Sequence, residues 1–111
     1  IKMIKLITDK NKLWQNFQVT FENGYTVSIG IGSGHYCQNR INESRNNPVN
    51  DYSIDCETAI IKPNGRFLPY RASCSDRKED VQRYVFPNEL ADIISYAKSL
   101  EPNNHGRVNK N

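Results

Sequence analysis

The fold is decided by residues 17–31, which read FQVTFENGYTVSIGI. Apolar and polar side chains alternate on both sides of Asn23-Gly24, which is the pattern of two strands that each bury one face. A three-residue loop ending at Gly24 pairs Phe21 with Tyr25 and keeps the apolar side chains together, whereas a two-residue loop would mix the two faces. The sequence therefore predicts a hairpin in which Gly24 takes the left-handed conformation.

A second hairpin has similar turn chemistry. Residues 54–62 indicate a strand, Pro63-Asn64-Gly65 a turn, and residues 66–70 the returning strand. Pro63 presets the first turn angle, and Gly65 accepts a positive φ. The predicted register pairs apolar side chains across this hairpin, Ile60 with Leu68 and Ile61 with Phe67.

One further strand and one helix complete the predicted elements. Residues 1–7 indicate the strand, and Pro87 stands where the first residue of the helix belongs. Five apolar side chains then recur at helical spacing, namely Leu90, Ile93, Ile94, Ala97 and Leu100. Phe86 takes the N-cap position, where Ser, Thr, Asp or Asn would normally accept a hydrogen bond. We predict an α+β fold in which an antiparallel sheet of hairpins packs on one main C-terminal helix.

Length and composition limit the classes of protein. The 111 residues make room for a single domain, 1–111, whose polar end at 103–111 is expected to fray. A net charge of +3 favours an anionic partner, and no apolar run is long enough to cross a membrane. Three cysteines without dense spacing argue against a secreted disulfide scaffold, so we expect a reducing, cytoplasmic setting.

The side chains that follow the first hairpin are typical of nucleotide binding. Three glycines, Gly30, Gly32 and Gly34, run into aromatic rings, amides and an arginine. Glycine lets the backbone approach a ligand, rings can stack on a base, and Arg binds phosphate. The predicted start of the helix also attracts anions. Both segments supply candidate ligand-binding residues, which are Ser33, His35, Tyr36, Asn39, Arg40, Phe86 and Asn88. We expect the two segments to form opposite walls of one anion-accepting pocket.

Other interpretations of these residues stay open. The glycine run equally fits a twisted strand end, and it is not a dinucleotide fingerprint because no helix follows it. Cys37 with His35 would suit a nucleophilic enzyme. Exposed Tyr, Phe and Arg side chains would suit a small RNA- or single-strand-binding module, and residues 39–52 would suit a protein-binding loop. The cysteines lack the close ligand pair of a zinc site, and Cys56 fits a small core residue, so no metal or cofactor is predicted.

Three segments together resemble the phage Thoeris anti-defence sponge proteins of the first type. They are residues 32–40, residues 57–61 ahead of Asn64-Gly65, and residues 80–87. The resemblance implies a non-enzymatic protein that sequesters a cyclic ADP-ribose isomer, such as glyco-cyclic ADP-ribose, made by TIR-domain enzymes of the host. It also implies cyclic oligonucleotides as further ligands.

The same resemblance implies an assembly and a place of action. Such proteins form homodimers or larger oligomers with pockets at subunit boundaries. They act in the host cell cytoplasm, without a membrane or a long nucleic acid as partner. The ligand contacts implied for this chain fall on Tyr36, Asn39, Arg40, Phe86 and Asn88.

Overall fold

The computed structural model describes residues 2–11, 13–32, 35, 37, 52–71 and 77–102. Within these residues the chain forms a six-stranded antiparallel sheet and a single helix near the C-terminus, which confirms the α+β class. The elements are β1 (Met3–Thr8), β2 (Trp14–Thr20), β3 (Thr26–Gly32), β4 (Cys56–Ile61), β5 (Phe67–Leu68), β6 (Val81–Val85) and α1 (Pro87–Ser99). The sheet order is β1-β2-β3-β4-β5, and β6 pairs with β4 as well. No helix in the described part is long and apolar enough to cross a membrane.

The first hairpin has the predicted register. Phe17 lies opposite Ile29 and Val19 opposite Val27, so the apolar side chains share one face of β2 and β3. The backbone N–H of Phe21 donates to the carbonyl of Tyr25 at 2.9 Å, which closes the three-residue loop. Gly24 has a φ of +88°, the left-handed conformation that the turn requires.

The second hairpin is also confirmed, although its strands are shorter than predicted. Ile60 lies opposite Leu68 and Ile61 opposite Phe67. The strand β5 ends at Leu68 because the next residue is Pro69, which has no N–H for the ladder. The predicted N-terminal strand is present as β1, whereas β6 was not predicted as a strand.

The core lies between one face of the sheet and α1. Its buried side chains come from β3 and the residue just before it, from β4, from β6 and from the helix, and they are Tyr25, Val27, Cys56, Ile60, Val85, Ile93 and Ala97. Cys56 is 6% exposed and belongs to this cluster, which confirms its prediction as a core residue. The helix begins at Pro87 with Phe86 as N-cap, as its sequence pattern predicts.

Candidate functional site

A groove of about 360 Å³ lies between the sheet and the first turns of α1. Ile29 and Ile31 of β3 form part of its sheet side, and Pro87 and Leu90 form part of its helix side. These residues meet because β3 carries its apolar side chains on the face that α1 covers. The end of β3 and the start of α1 therefore border one cavity whose walls are mainly aliphatic.

Polar groups enter the groove from the residues ahead of β4. Ser53 and Asp55 both line it, and Asp55 is only 8% exposed. The hydroxyl of Ser53 lies 3.4 Å from Oδ1 of Asp55, and it also accepts the backbone N–H of Asp55 at 3.4 Å. Sequence reasoning missed both residues, since a short polar stretch before a strand carries no periodic signal.

Three aromatic side chains stand exposed next to lining residues in the chain. Tyr52, Tyr84 and Phe86 are 69%, 45% and 54% exposed. They precede Ser53, Val85 and Pro87 respectively, all of which line the groove. Exposed rings of this kind can stack on the flat face of a base.

Tyr84 is held by a β-bulge that the sequence did not predict. Cys56 pairs with Val85 and Thr58 with Gln82, so two residues of β6 face a single residue of β4. Tyr84 has a φ of +52°, which is unusual for a bulky side chain and costs about 1–3 kcal/mol. Bulges re-aim side chains at sheet edges and beside functional sites.

The ring of His35 lies on the other face of the sheet. A Cβ on Gly30 would overlap this ring, so His35 sits directly over Gly30. Neighbouring residues of a strand point to opposite faces, and Ile29 and Ile31 point into the groove. His35 therefore faces away from the groove, and the structure does not bring it to Phe86.

The other predicted ligand residues divide into two groups. Phe86 and Asn88 are exposed at the start of α1, and Phe86 provides no side-chain hydrogen bond to cap the helix. The remaining four, Ser33, Tyr36, Asn39 and Arg40, lie outside the described residues, as do the predicted tail at 103–111 and nearly all of the loop at 39–52. The single anion-accepting pocket thus stays a prediction.

Cys37 and Cys56 are both buried thiols. Cys37 is 1% exposed, and its Sγ accepts the backbone N–H of Gly32 at 3.3 Å. Burial raises the pKa of the Cys56 thiol, despite the hydroxyl of Thr58 at 3.2 Å, so this thiol stays protonated near neutral pH. Reactive cysteines are usually accessible thiolates, so burial does not favour Cys37 as a nucleophile.

In the part of the chain that is described, no three His, Cys, Asp or Glu side chains gather as metal ligands would.

Comparisons of the chain with protein-family models, with curated proteins and with solved structures found no match.

Proposed function

We propose that this chain binds a cyclic nucleotide signal, a cyclic ADP-ribose isomer, beside the groove and holds it without cleaving it. By removing the signal from the host cytoplasm, the protein blocks TIR-based defence against phage. The resemblance of residues 32–40, 57–61 and 80–87 to Thoeris anti-defence sponge proteins supplies the identity of the ligand. The single structural observation that supports it is the groove at the start of α1.

Three features of this groove and its surroundings support nucleotide binding. Its volume of about 360 Å³ falls within the range of roughly 300–1,000 Å³ that is usual for small-molecule sites. Aliphatic walls suit a base, and the hydroxyl and carboxylate of Ser53 and Asp55 suit ribose hydroxyls or an amino group. Phosphates suit the N-terminus of α1, where the macrodipole is positive and Phe86 supplies no capping hydrogen bond.

The sequestration test uses the intact chain and a purified cyclic ADP-ribose isomer. We expect the protein to deplete the free ligand in proportion to its own concentration. Heating the complex should then return the ligand with unchanged mass and retention time in liquid chromatography–mass spectrometry. A hydrolysed product would instead indicate an enzyme, and no depletion would reject this ligand.

A pair of variants tests whether the start of α1 takes part in binding. Phe86→Ala removes an exposed ring beside the groove, and we expect the dissociation constant to rise about tenfold or more, as for the loss of a stacked base. Phe67→Ala is the matched control, because Phe67 is similarly exposed at 48% but, unlike Phe86, is not next in the chain to a residue that lines the groove. Equal affinities for Phe86→Ala and the unchanged protein would show that the ligand does not contact this end of the helix.

We also infer that the protein works as a homodimer or a larger oligomer. On the sheet face that carries Phe17, the side chains of Ile4 and Leu6 are 72% and 63% exposed. These residues lie opposite Val19 and Phe17 in the sheet, so they extend the apolar face beyond the helix. Assembly would bury this face, and sedimentation equilibrium should give a mass of at least two chains. A monomer at micromolar concentration would contradict this inference.

A further inference from the structure

We propose that His35 is a positioning residue, which fixes the chain leaving β3 by resting over Gly30 and pairing with Glu57. The proposal concerns the site described above and rests on the proposed function only where ligand affinity is measured. It assigns His35 a different role from the ligand contact that the sequence suggested. The three residues come from different parts of the chain, and their contacts lie on the sheet face away from the groove.

The pairing with Glu57 fixes one edge of the His35 ring. Nδ1 of His35 lies 2.8 Å from Oε1 of Glu57, and both side chains are 19% exposed. When Glu57 is ionised its carboxylate only accepts hydrogen bonds, and Nδ1 of His35 is then the donor. Glu57 lies in β4, directly opposite Gly30 of β3, so two neighbouring strands hold the same ring.

The His35 ring packs directly on the backbone of Gly30. A Cβ at this position would overlap the ring atoms Cγ, Nδ1 and Cε1, so a larger residue would fit only if the ring moved away. Trp14 closes another side, because its ring meets that of His35 edge-on with centroids 5.7 Å apart and an interplanar angle of 83°. The ring is thus fixed by packing as well as by the carboxylate.

A second attachment follows two residues later at Cys37. Its thiol accepts the backbone N–H of Gly32 at 3.3 Å, and the residue is 1% exposed. The backbone N–H of Cys37 also donates to the carbonyl of His35 at 2.9 Å. His35 and Cys37 therefore hold each other and the end of β3, and they flank position 36, one of the predicted ligand residues.

Alkylation of Cys37 tests the positioning role without any ligand. The protein is treated with N-ethylmaleimide at neutral pH, and peptide mass spectrometry measures the rate at each cysteine separately. In His35→Ala and Glu57→Ala we expect the rate at Cys37 to rise about tenfold or more, because local opening exposes the thiol. Glu57→Gln keeps an oxygen acceptor for Nδ1 and should leave the rate close to that of the unchanged protein.

Cys56 reports global unfolding in the same experiment. It is 6% exposed in the core cluster at the base of the groove, and burial raises the pKa of its thiol, so we expect slow labelling that becomes faster when the fold opens. Faster labelling at Cys37 with an unchanged rate at Cys56 supports the proposal. An unchanged rate at Cys37 in His35→Ala overturns it, and so does an equal increase at both cysteines, which would make His35 a general stabilising residue.

A substitution at Gly30 tests the packing of the His35 ring on this residue. Gly30→Ala should displace the ring and raise the Cys37 rate as much as His35→Ala does. The double variant Gly30→Ala/His35→Ala should show no further increase in the Cys37 rate, because without the His35 ring the added methyl group has nothing to displace. If Cys37 in Gly30→Ala reacts with N-ethylmaleimide at the same rate as in the unchanged protein, packing on Gly30 does not position His35 and the proposal is overturned.

Ligand affinity separates a positioning role from direct contact. With a cyclic ADP-ribose isomer as probe, His35→Ala, Glu57→Ala and Gly30→Ala should raise the dissociation constant by similar factors that do not multiply when combined. A loss of affinity confined to His35→Ala would mean that His35 touches the ligand and would overturn the proposal. Failure of the unchanged protein to bind the probe would reject the proposed function and leave the alkylation result to judge the positioning role.

Discussion

Asn23 joins the turn of the first hairpin to the far end of the helix. Its side-chain amide donates to the carbonyls of Ala97 at 2.8 Å and Leu100 at 3.0 Å, and its Oδ1 accepts the backbone N–H of Tyr25 at 3.0 Å. The last carbonyls of a helix lack the usual amide partners, so Asn23 caps α1 from another element. We expect Asn23→Ala to lower the free energy of unfolding by about 1–3 kcal/mol in urea denaturation.

Asn64 provides the matched control for Asn23. It occupies the corresponding place in the second turn, where its Oδ1 accepts the backbone N–H of Arg66 at 3.0 Å. This side chain is exposed in its turn and makes no described contact with α1. Asn64→Ala should therefore lower the free energy of unfolding by less than Asn23→Ala does. The difference is the contribution of the contacts between Asn23 and the helix. Equal losses would show that Asn23 acts only through its own turn.

Tyr25 is buried in the core with a hydroxyl that the described residues leave unsatisfied. The residue is 0% exposed, and its Oη has no hydrogen-bond partner in the described structure. Removing an unsatisfied polar atom avoids its desolvation penalty, so Tyr25→Phe should leave stability unchanged or raise it by about 1 kcal/mol. A loss of more than about 1 kcal/mol in urea denaturation would indicate a partner for this hydroxyl.

The same variant changes how stability depends on alkaline pH. Burial, with a smaller effect from Tyr96, raises the pKa of Tyr25 above its ordinary value of 10.0. The neutral phenol is favoured in the folded state, so its contribution is complete below pH 10 and is lost as the pH rises further. Tyr25→Phe should reduce this alkaline loss in thermal unfolding, and Tyr70, whose pKa burial also raises, accounts for part of what remains.

At the scale of elements, the two hairpin turns pack against each other. Gly24 and Gly65 share a φ of +88°, but their surroundings differ. A Cβ on Gly24 would lie 3.1 Å from Cγ of Pro63, whereas a Cβ on Gly65 would have nothing within 4 Å. Gly65→Ala should cost about 1–2 kcal/mol for the left-handed backbone alone, and Gly24→Ala should cost more. Equal losses in denaturation experiments would show that Pro63 moves aside freely.

The hairpins were predictable because turn chemistry and side-chain alternation agree in each of them. The strand β6 was not, since the bulge at Tyr84 breaks the alternation. Gln82 adds to the difficulty, as a polar residue buried at 5% exposure. Its side-chain amide donates to the carbonyls of Tyr70 and Glu79 at 2.8 and 2.7 Å, and these contacts depend on the folded chain.

The candidate site was predictable only at its helical end. Pro87 marks the start of α1 through a local sequence rule, which places Phe86 at the N-cap although its side chain does not favour that position. The face that His35 takes depends instead on Glu57, 22 residues further along the chain. Ser53 and Asp55 enter the groove through tertiary packing, which single-sequence patterns do not encode.

At the scale of the whole molecule, the two faces of the sheet carry different features. One face carries the core, α1 and the groove. The other face carries the ring of His35 over Gly30, beside Trp14. Because β3 contributes to both faces, the groove and the residues over Gly30 are separated only by the thickness of the sheet. This arrangement allows the position of the chain after β3 to influence a site on the opposite face.

The salt dependence of binding distinguishes a nucleotide sponge from a single-strand-binding module. The chain has a net charge of only +3, and the groove has a volume of about 360 Å³. Between about 50 and 200 mM salt, a protein that contacts six to ten phosphates loses roughly 10³–10⁵ in affinity, because it releases many counterions. A ligand with two phosphates should lose about tenfold or less over the same range. Calorimetric titration with a cyclic ADP-ribose isomer and with a single-stranded oligonucleotide makes the comparison. Tight oligonucleotide binding that falls steeply with salt, together with no binding of the cyclic ligand, would replace the proposed function by nucleic-acid recognition.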